Sequence, residues 1–69
     1  MVEVFKTNVR RRKEADLLVT DLLRSFPFYR INFDLMDRDN ILRVEGNSVH
    51  VEEIIDVMKA RQYECEVLN

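Results

Sequence analysis

One thiol, one imidazole, a group of hairpin carboxylates and a run of cations are the side chains here that could do chemistry. Cys65 is the only cysteine and His50 the only histidine among 69 residues. A soft-metal site needs thiolate or imidazole ligands brought together, so Cys65 would have to join His50 or Met36 and stand exposed. Cys65 instead falls in phase with Tyr63 and Val67, which reads as a small buried hydrophobe. His50, without a second histidine or a neighbouring cysteine, reads as a surface or capping residue. A single cysteine forms no internal disulfide, which points to a reducing, cytoplasmic setting.

Asp34, Asp37, Asp39 and Asn40 are spaced like hard-cation ligands at first sight. A calcium loop needs oxygen ligands at its third and fifth positions, glycine at the sixth and glutamate at the twelfth. Counting from Asp34 puts Met36, Arg38 and Asp39 at the third, fifth and sixth positions, and only Glu45 fits, at the twelfth. The group reads as a solvated hairpin turn.

Arg10, Arg11, Arg12 and Lys13 are a different case. Residues 1–13 carry five basic groups against Glu3 alone, a net +4, which leaves −6 for the remainder and −2 overall. Cations at a helix N-terminus oppose the macrodipole at about 0.3–1 kcal/mol each when exposed. Glu14 and Asp16 offset part of that. Guanidinium groups beside the free N–H groups of a helix start converge on an anion, so an acidic protein surface, a phosphate or a carboxylate fits there.

The elements that must position these groups follow from periodicity. Val2–Thr7 reads as a strand whose inward face is open: Val2 and Val4 compete with Phe5 and Val9, and a bulge would reconcile them. From Arg10 to Arg24 the spacing of Ala15, Leu18, Val19, Leu22 and Phe26 predicts a helix capped by Asn8 and stopped by Pro27. Leu17 and Leu23 lie off this stripe, either at the core edges or as a small apolar contact. Tyr29, Ile31, Phe33 and Leu35 alternate with polar residues as a half-buried strand. Asp37–Asn40 supplies turn chemistry, Leu42 and Val44 form the next strand, and Gly46–Asn47 ends it. Val51–Ala60 is a second helix with Ile54, Ile55 and Met58 on one face, capped by Ser48 or His50. Tyr63, Cys65 and Val67 close the chain as a strand.

This order, βαββαβ, predicts a single α+β domain over residues 1–69: a ferredoxin-like sandwich with a four-stranded antiparallel sheet and two helices on one face. Arg30, Asn32, Asp34, Arg43, Glu45, Glu64 and Glu66 are expected on the open face. A chain this short buries only about 60% of its unfolded surface.

Over nearly its whole length the sequence resembles the heavy-metal-associated (HMA-like) domains. The resemblance is carried by Ile41–Gly46 (a strand ending Val-x-Gly), Val51-Glu52-Glu53-Ile54-Ile55, and Gln62-Tyr63-Glu64-Cys65-Glu66-Val67-Leu68. Gln62 and Cys65 stand where the family commonly has glycine and alanine. The family's Cys-x-x-Cys pair falls on Arg12 and Ala15, or on Arg11 and Glu14 one residue earlier, so the resemblance implies the fold without the soft-metal site. In the family, this loop is also where a partner domain docks.

These observations favour a non-enzymatic binding or regulatory module with no cofactor and an unidentified partner at Arg10–Lys13. The alternative is a metal-trafficking domain with relocated ligands. Acylphosphatases share the topology, but Thr7-Asn8-Val9-Arg10 has no glycine to wrap amides around a phosphate. Glu45, Glu64 and Glu66 on the open face oppose nucleic acid. No apolar stretch is long enough to span a membrane. Oligomeric state is open.

Overall fold

The structure, a computed structural model, describes residues 1–68. Its elements are β1 (Val2–Thr7), α1 (Arg12–Ser25), β2 (Arg30–Asp34), β3 (Ile41–Glu45), α2 (Val51–Ala60) and β4 (Cys65–Val67). The strands form one antiparallel sheet in the order β2-β3-β1-β4, the ferredoxin-like α+β arrangement.

The central strand settles which of its faces is inward. Phe5 pairs with Leu42 of β3 and Val67 of β4, and Glu3 pairs with Val44. Phe5, Thr7 and Val9 are buried, whereas Val2 is exposed. The β1–β3 register runs without interruption from Val2–Glu45 to Phe5–Leu42, so no bulge is needed. Val2 and Val4 therefore lie with Arg30, Asn32, Arg43 and Glu66 on the open face. Apolar alternation alone pointed to either face, because the inward row contains a threonine.

The helices close the other face. Ala15, Leu18 and Leu22 of α1 and Ile54 and Met58 of α2 join Phe5, Phe33, Leu42, Val44 and Cys65 in one core. An Arg61–Asp21 ion pair at 3.0 Å ties the C-terminal end of α2 to α1. Burying such apolar side chains contributes about 1.5–3 kcal/mol each, the largest favourable share of the fold's stability.

Several boundaries differ from the periodicity reading, each for a local reason. Helix α1 begins at Arg12, with Arg11 as an extended N-cap (φ −104°, ψ 134°) lacking a side-chain cap. Asn8 does not cap it. Its Oδ1 accepts the Glu64 backbone N–H at 2.9 Å and continues the β1–β4 seam past the last strand pair. Strand β2 starts at Arg30 because the Tyr29 N–H turns back to the Phe26 carbonyl at 3.2 Å. His50, not Ser48, is the N-cap of α2, also without a side-chain cap.

The end of α2 shows why β4 starts late. The Gln62 N–H donates to the Lys59 carbonyl at 2.8 Å and the Tyr63 N–H to the Met58 carbonyl at 3.0 Å. These are the paired bonds of a Schellman cap, and they place Gln62 in the left-handed region at φ 69°. A non-glycine residue there is strained, since its Cβ crowds its own carbonyl.

The turn after β3 depends on the absence of a side chain. A Cβ at Gly46 would lie 2.7 Å from Tyr29 Cδ1. The Tyr29 ring is held on its other side by stacking on Phe26, with centroids 5.1 Å apart. Its hydroxyl donates to the Ser48 carbonyl at 2.8 Å and accepts the His50 N–H at 2.9 Å. One aromatic side chain thus spans from the end of α1 to the start of α2.

Two substitutions test this account. Gly46→Ala overpacks against a ring held by stacking on Phe26 and by two hydrogen bonds of its hydroxyl, so chemical denaturation should show a loss of about 1–3 kcal/mol. Gln62→Gly relieves the left-handed strain, and the same measurement should show a gain of about 0.5–1 kcal/mol. A loss on Gln62→Gly would mean that the side chain makes a contact outweighing the strain.

Candidate functional site

The β1–α1 connection carries the basic run out of the core at a defined point. Thr7, the buried polar residue, donates its hydroxyl to the Asn40 carbonyl and accepts the Val9 N–H at 3.2 Å. Val9 is fully buried, and the chain emerges directly after it. Arg10, Arg11, Arg12 and Lys13 are all exposed.

They are not equivalent. Arg12 donates to the Phe33 carbonyl at 3.2 Å and lies 3.6 Å from Asp16, one helical turn on. That guanidinium is spoken for within the fold. Arg10, Arg11 and Lys13 make no ion pair among the described residues. Glu14, the one acidic residue of the first turn, acts on Tyr63 across the pole. Burial first, and the Glu14 carboxylate next, push the Tyr63 phenol pKa up, with Arg11 acting in the opposite sense. With no side-chain cap, the first-turn N–H groups of α1 point out beside these cations. The arrangement can receive an anion by charge and hydrogen bonding.

The hairpin carboxylates are used as turn formers. Asp34 Oδ1 accepts the Met36 N–H at 3.1 Å, and Asp37 Oδ1 accepts the Asp39 N–H at 2.8 Å. Asn40 follows at φ 48°, a left-handed position that asparagine tolerates. These side chains hold the β2–β3 turn in the way Asx turns do. Among the described residues, no three His, Cys, Asp or Glu side chains come together in a metal-holding group.

Cys65 is 7% exposed, and burial pushes its thiol up to about 12 from 9.0, with Lys59 pulling weakly the other way. It lines the floor of a groove between α2 and β4. His50 sits at the opposite end of α2, its Nδ1 3.4 Å from Glu53. Met36 is almost fully exposed on the hairpin. The exposure that a relocated metal site would demand of Cys65 is not met.

A cleft of about 680 Å³ at the pole away from the basic run was not foreseen from the sequence. Phe26, Phe28, Tyr29, Arg30, Glu45 and His50 line it, with Phe28 94% exposed. The available signal was the Phe26-Pro27-Phe28-Tyr29 cluster, too many aromatics for the end of one helix to bury.

No known family model matches this chain, and no curated protein matches it. No helix among the described residues is long and apolar enough to cross a membrane.

The state of Cys65 has a pH consequence with a definite sign. A thiol whose folded pKa lies above its unfolded value binds more protons folded than unfolded between the two. Its contribution is therefore complete below about pH 9 and lost as pH rises toward 12. Thermal melts should show stability falling above pH 9 more steeply in the native chain than in Cys65→Ala. Tyr63 titrates in both, so their difference isolates the thiol. Alkylation of Cys65 should be slow until the chain unfolds, and rapid labelling of the folded protein would contradict its burial.

Proposed function

We propose that this chain is a non-enzymatic binding or regulatory module, an HMA-like domain without the family's metal-binding cysteine pair. Its contact is the Arg10–Lys13 segment, and its partner is an acidic protein surface or a small anion. The observation that carries this reading is the uncapped start of α1 flanked by three exposed cations, Arg10, Arg11 and Lys13, with no ion pair among the described residues. Such a start is costly in isolation, because the cations and the dipole repel, and an anion relieves both at once. Arg12 contributes by holding the segment against β2 rather than by meeting the partner.

The HMA-like part of the proposal rests on the βαββαβ order and on Gln62. The family's closing glycine corresponds to Gln62, which adopts the left-handed backbone that glycine suits. The relocated-metal alternative has no comparable support, since Cys65 is buried and protonated at neutral pH.

Amide NMR titrations with inorganic phosphate and with a poly-glutamate peptide test the reading and separate its two ligand sources. Shifts should centre on residues 10–14 for at least one probe and weaken with added salt. Neutralising Arg10, Arg11 and Lys13 together to glutamine should reduce the affinity by about tenfold or more, at about 0.5 kcal/mol per exposed cation. Absence of shifts at residues 10–14 with both probes, or affinity unchanged in the triple variant, would remove the basis for the proposal. Cu(I) under reducing conditions should leave the Cys65 and His50 amides unmoved; saturable shifts there would favour the metal reading.

A further inference from the structure

The sheet has two free edges, β2 and β4, and they differ in a way that selects a partner. An edge strand offers an unpaired row of N–H and C=O groups that another chain can extend. Which residues offer them follows from the hydrogen bonds inside the sheet. The Gly46 N–H donates to the Met1 carbonyl at 3.0 Å, so Met1, Glu3 and Phe5 of the β1 run face β3. By alternation, Leu42 and Val44 face β1, while Ile41, Arg43 and Glu45 bond to Asp34, Asn32 and Arg30. That leaves the N–H and C=O groups of Ile31 and Phe33 pointing off the β2 edge. The Arg12 guanidinium on the Phe33 carbonyl reports the same direction independently. On the other side, the Leu68 N–H on Val4 at 2.9 Å leaves Cys65 and Val67 facing off β4.

We propose that β2 pairs antiparallel with β2 of a second copy of this chain, on a two-fold axis through Asn32. In this register Ile31 forms hydrogen-bonded pairs with Phe33 of the copy, and the reverse. The non-hydrogen-bonded pairs, whose side chains lie closest, then set Arg30 against Asp34 twice and Asn32 against itself. All three side chains are on the open face and exposed. On the helix side, Ile31 meets Phe33 and Tyr29 meets Leu35. A slide of two residues either way sets Asn32 against Asp34, or Arg30 against Asn32, and forfeits both ion pairs.

The β4 edge has no such solution. Matching Cys65 with Val67 sets Glu66 against Glu66, and matching Cys65 with itself sets Glu64 against Glu66. Matching Val67 with itself sets Glu66 against Leu68. Like charges directly opposite are destabilising, so the first two registers are guarded, and the third forms no ion pair to hold it. A second copy is the occupant that the β2 charges complement, and the pairing would continue the sheet to eight strands with all helices on one face.

Helix α1 supports the same seam. Arg12 reaches the β2 edge, and Val19 and Leu23 lie seven and eleven residues further on, on the same side of the helix. Both are partly exposed. Asp21, on the opposite side, is the residue paired to α2. The off-stripe Leu23 thus flanks the edge, where two copies of α1 would approach. Arg12 need not leave, because the Phe33 carbonyl has a second lone pair for the incoming Ile31 N–H.

Sedimentation equilibrium across a wide concentration range, with hydrogen exchange on the same samples, tests the proposal. The chain should be a concentration-dependent dimer, with the Ile31 and Phe33 amides protected on association and those of Cys65 and Val67 unchanged. Arg30→Asp and Asp34→Arg should each weaken the dimer by about tenfold or more, and the double swap should restore it. Circular dichroism checks that each variant is folded. A monomer at every concentration, a dimer indifferent to the single swaps, or protection at Cys65 and Val67 instead would each overturn the pairing. The exchange pattern of the unmodified chain decides the matter even where a variant fails to fold.

Discussion

The buried hydroxyl of Thr7 is the contact on which the placement of the functional surface depends. It donates to the Asn40 carbonyl at the end of the β2–β3 turn and accepts the Val9 N–H, closing a small polar loop inside an apolar core. A hydroxyl left unpaired there would cost about 1–3 kcal/mol, so the three segments it joins are not free to shift independently. With Thr7 inward, Phe5 is inward and Val2 and Val4 are not. With the Val9 amide held by Thr7, its side chain returns to the core, and from Arg10 to Lys13 every residue is released to solvent. The position of the basic run therefore follows from a threonine in a strand, not from the charges themselves.

The start of α1 collects features that oppose helix formation. Arg11 as N-cap offers no oxygen to the first-turn amides, and three cations follow or precede it within a turn. The helix persists because its apolar stripe is buried, a term several times larger than the electrostatic opposition. Core burial thus holds an unfavourable charge arrangement at the surface. Such local conflict within an otherwise consistent fold is where function is to be sought. Arg12 shows the arrangement being partly resolved inside the domain, through Asp16 and the Phe33 carbonyl, and its neighbours show it left open.

What could be read from the sequence was whatever a repeated spacing encodes. The stripe Ala15, Leu18, Leu22, the alternation of Ile31 and Phe33, and the face Ile54, Met58 each repeat a period that only one element satisfies, and the βαββαβ order follows. The inward face of β1 was not legible, because its row is glutamate, phenylalanine and threonine, and hydropathy cannot foresee that the hydroxyl would find a buried carbonyl. Asn8 looked like a cap because caps are the commonest use of its type next to a helix. Its actual partner, Glu64, is distant in sequence, and only the sheet brings the two together. The basic run was visible as composition, but the division between Arg12 and its neighbours required the β2 edge to be in place. The cleft beside Phe28 needed the α1–β2 and β3–α2 connections to meet, which no local pattern records.

Edge strands are where a small domain is most exposed to association, and this chain treats its two edges unequally. Strand β4 has three residues and alternates its apolar inward side chains with Glu66, while Glu64 stands just before it. Strand β2 has five residues with Arg30 and Asp34 symmetrically about Asn32. Either pattern would serve solubility, since both put charge on an edge. They differ in what happens when the strand meets itself reversed. Reversal of an array of like charges yields repulsion or no ion pair, depending on the offset, but turns an array with opposite charges at its ends into two matched pairs. Charges on an edge strand therefore carry information about orientation as well as about water. In a chain whose small core leaves little stability to spare, extending the sheet at one end while guarding the other adds buried surface without inviting open-ended growth.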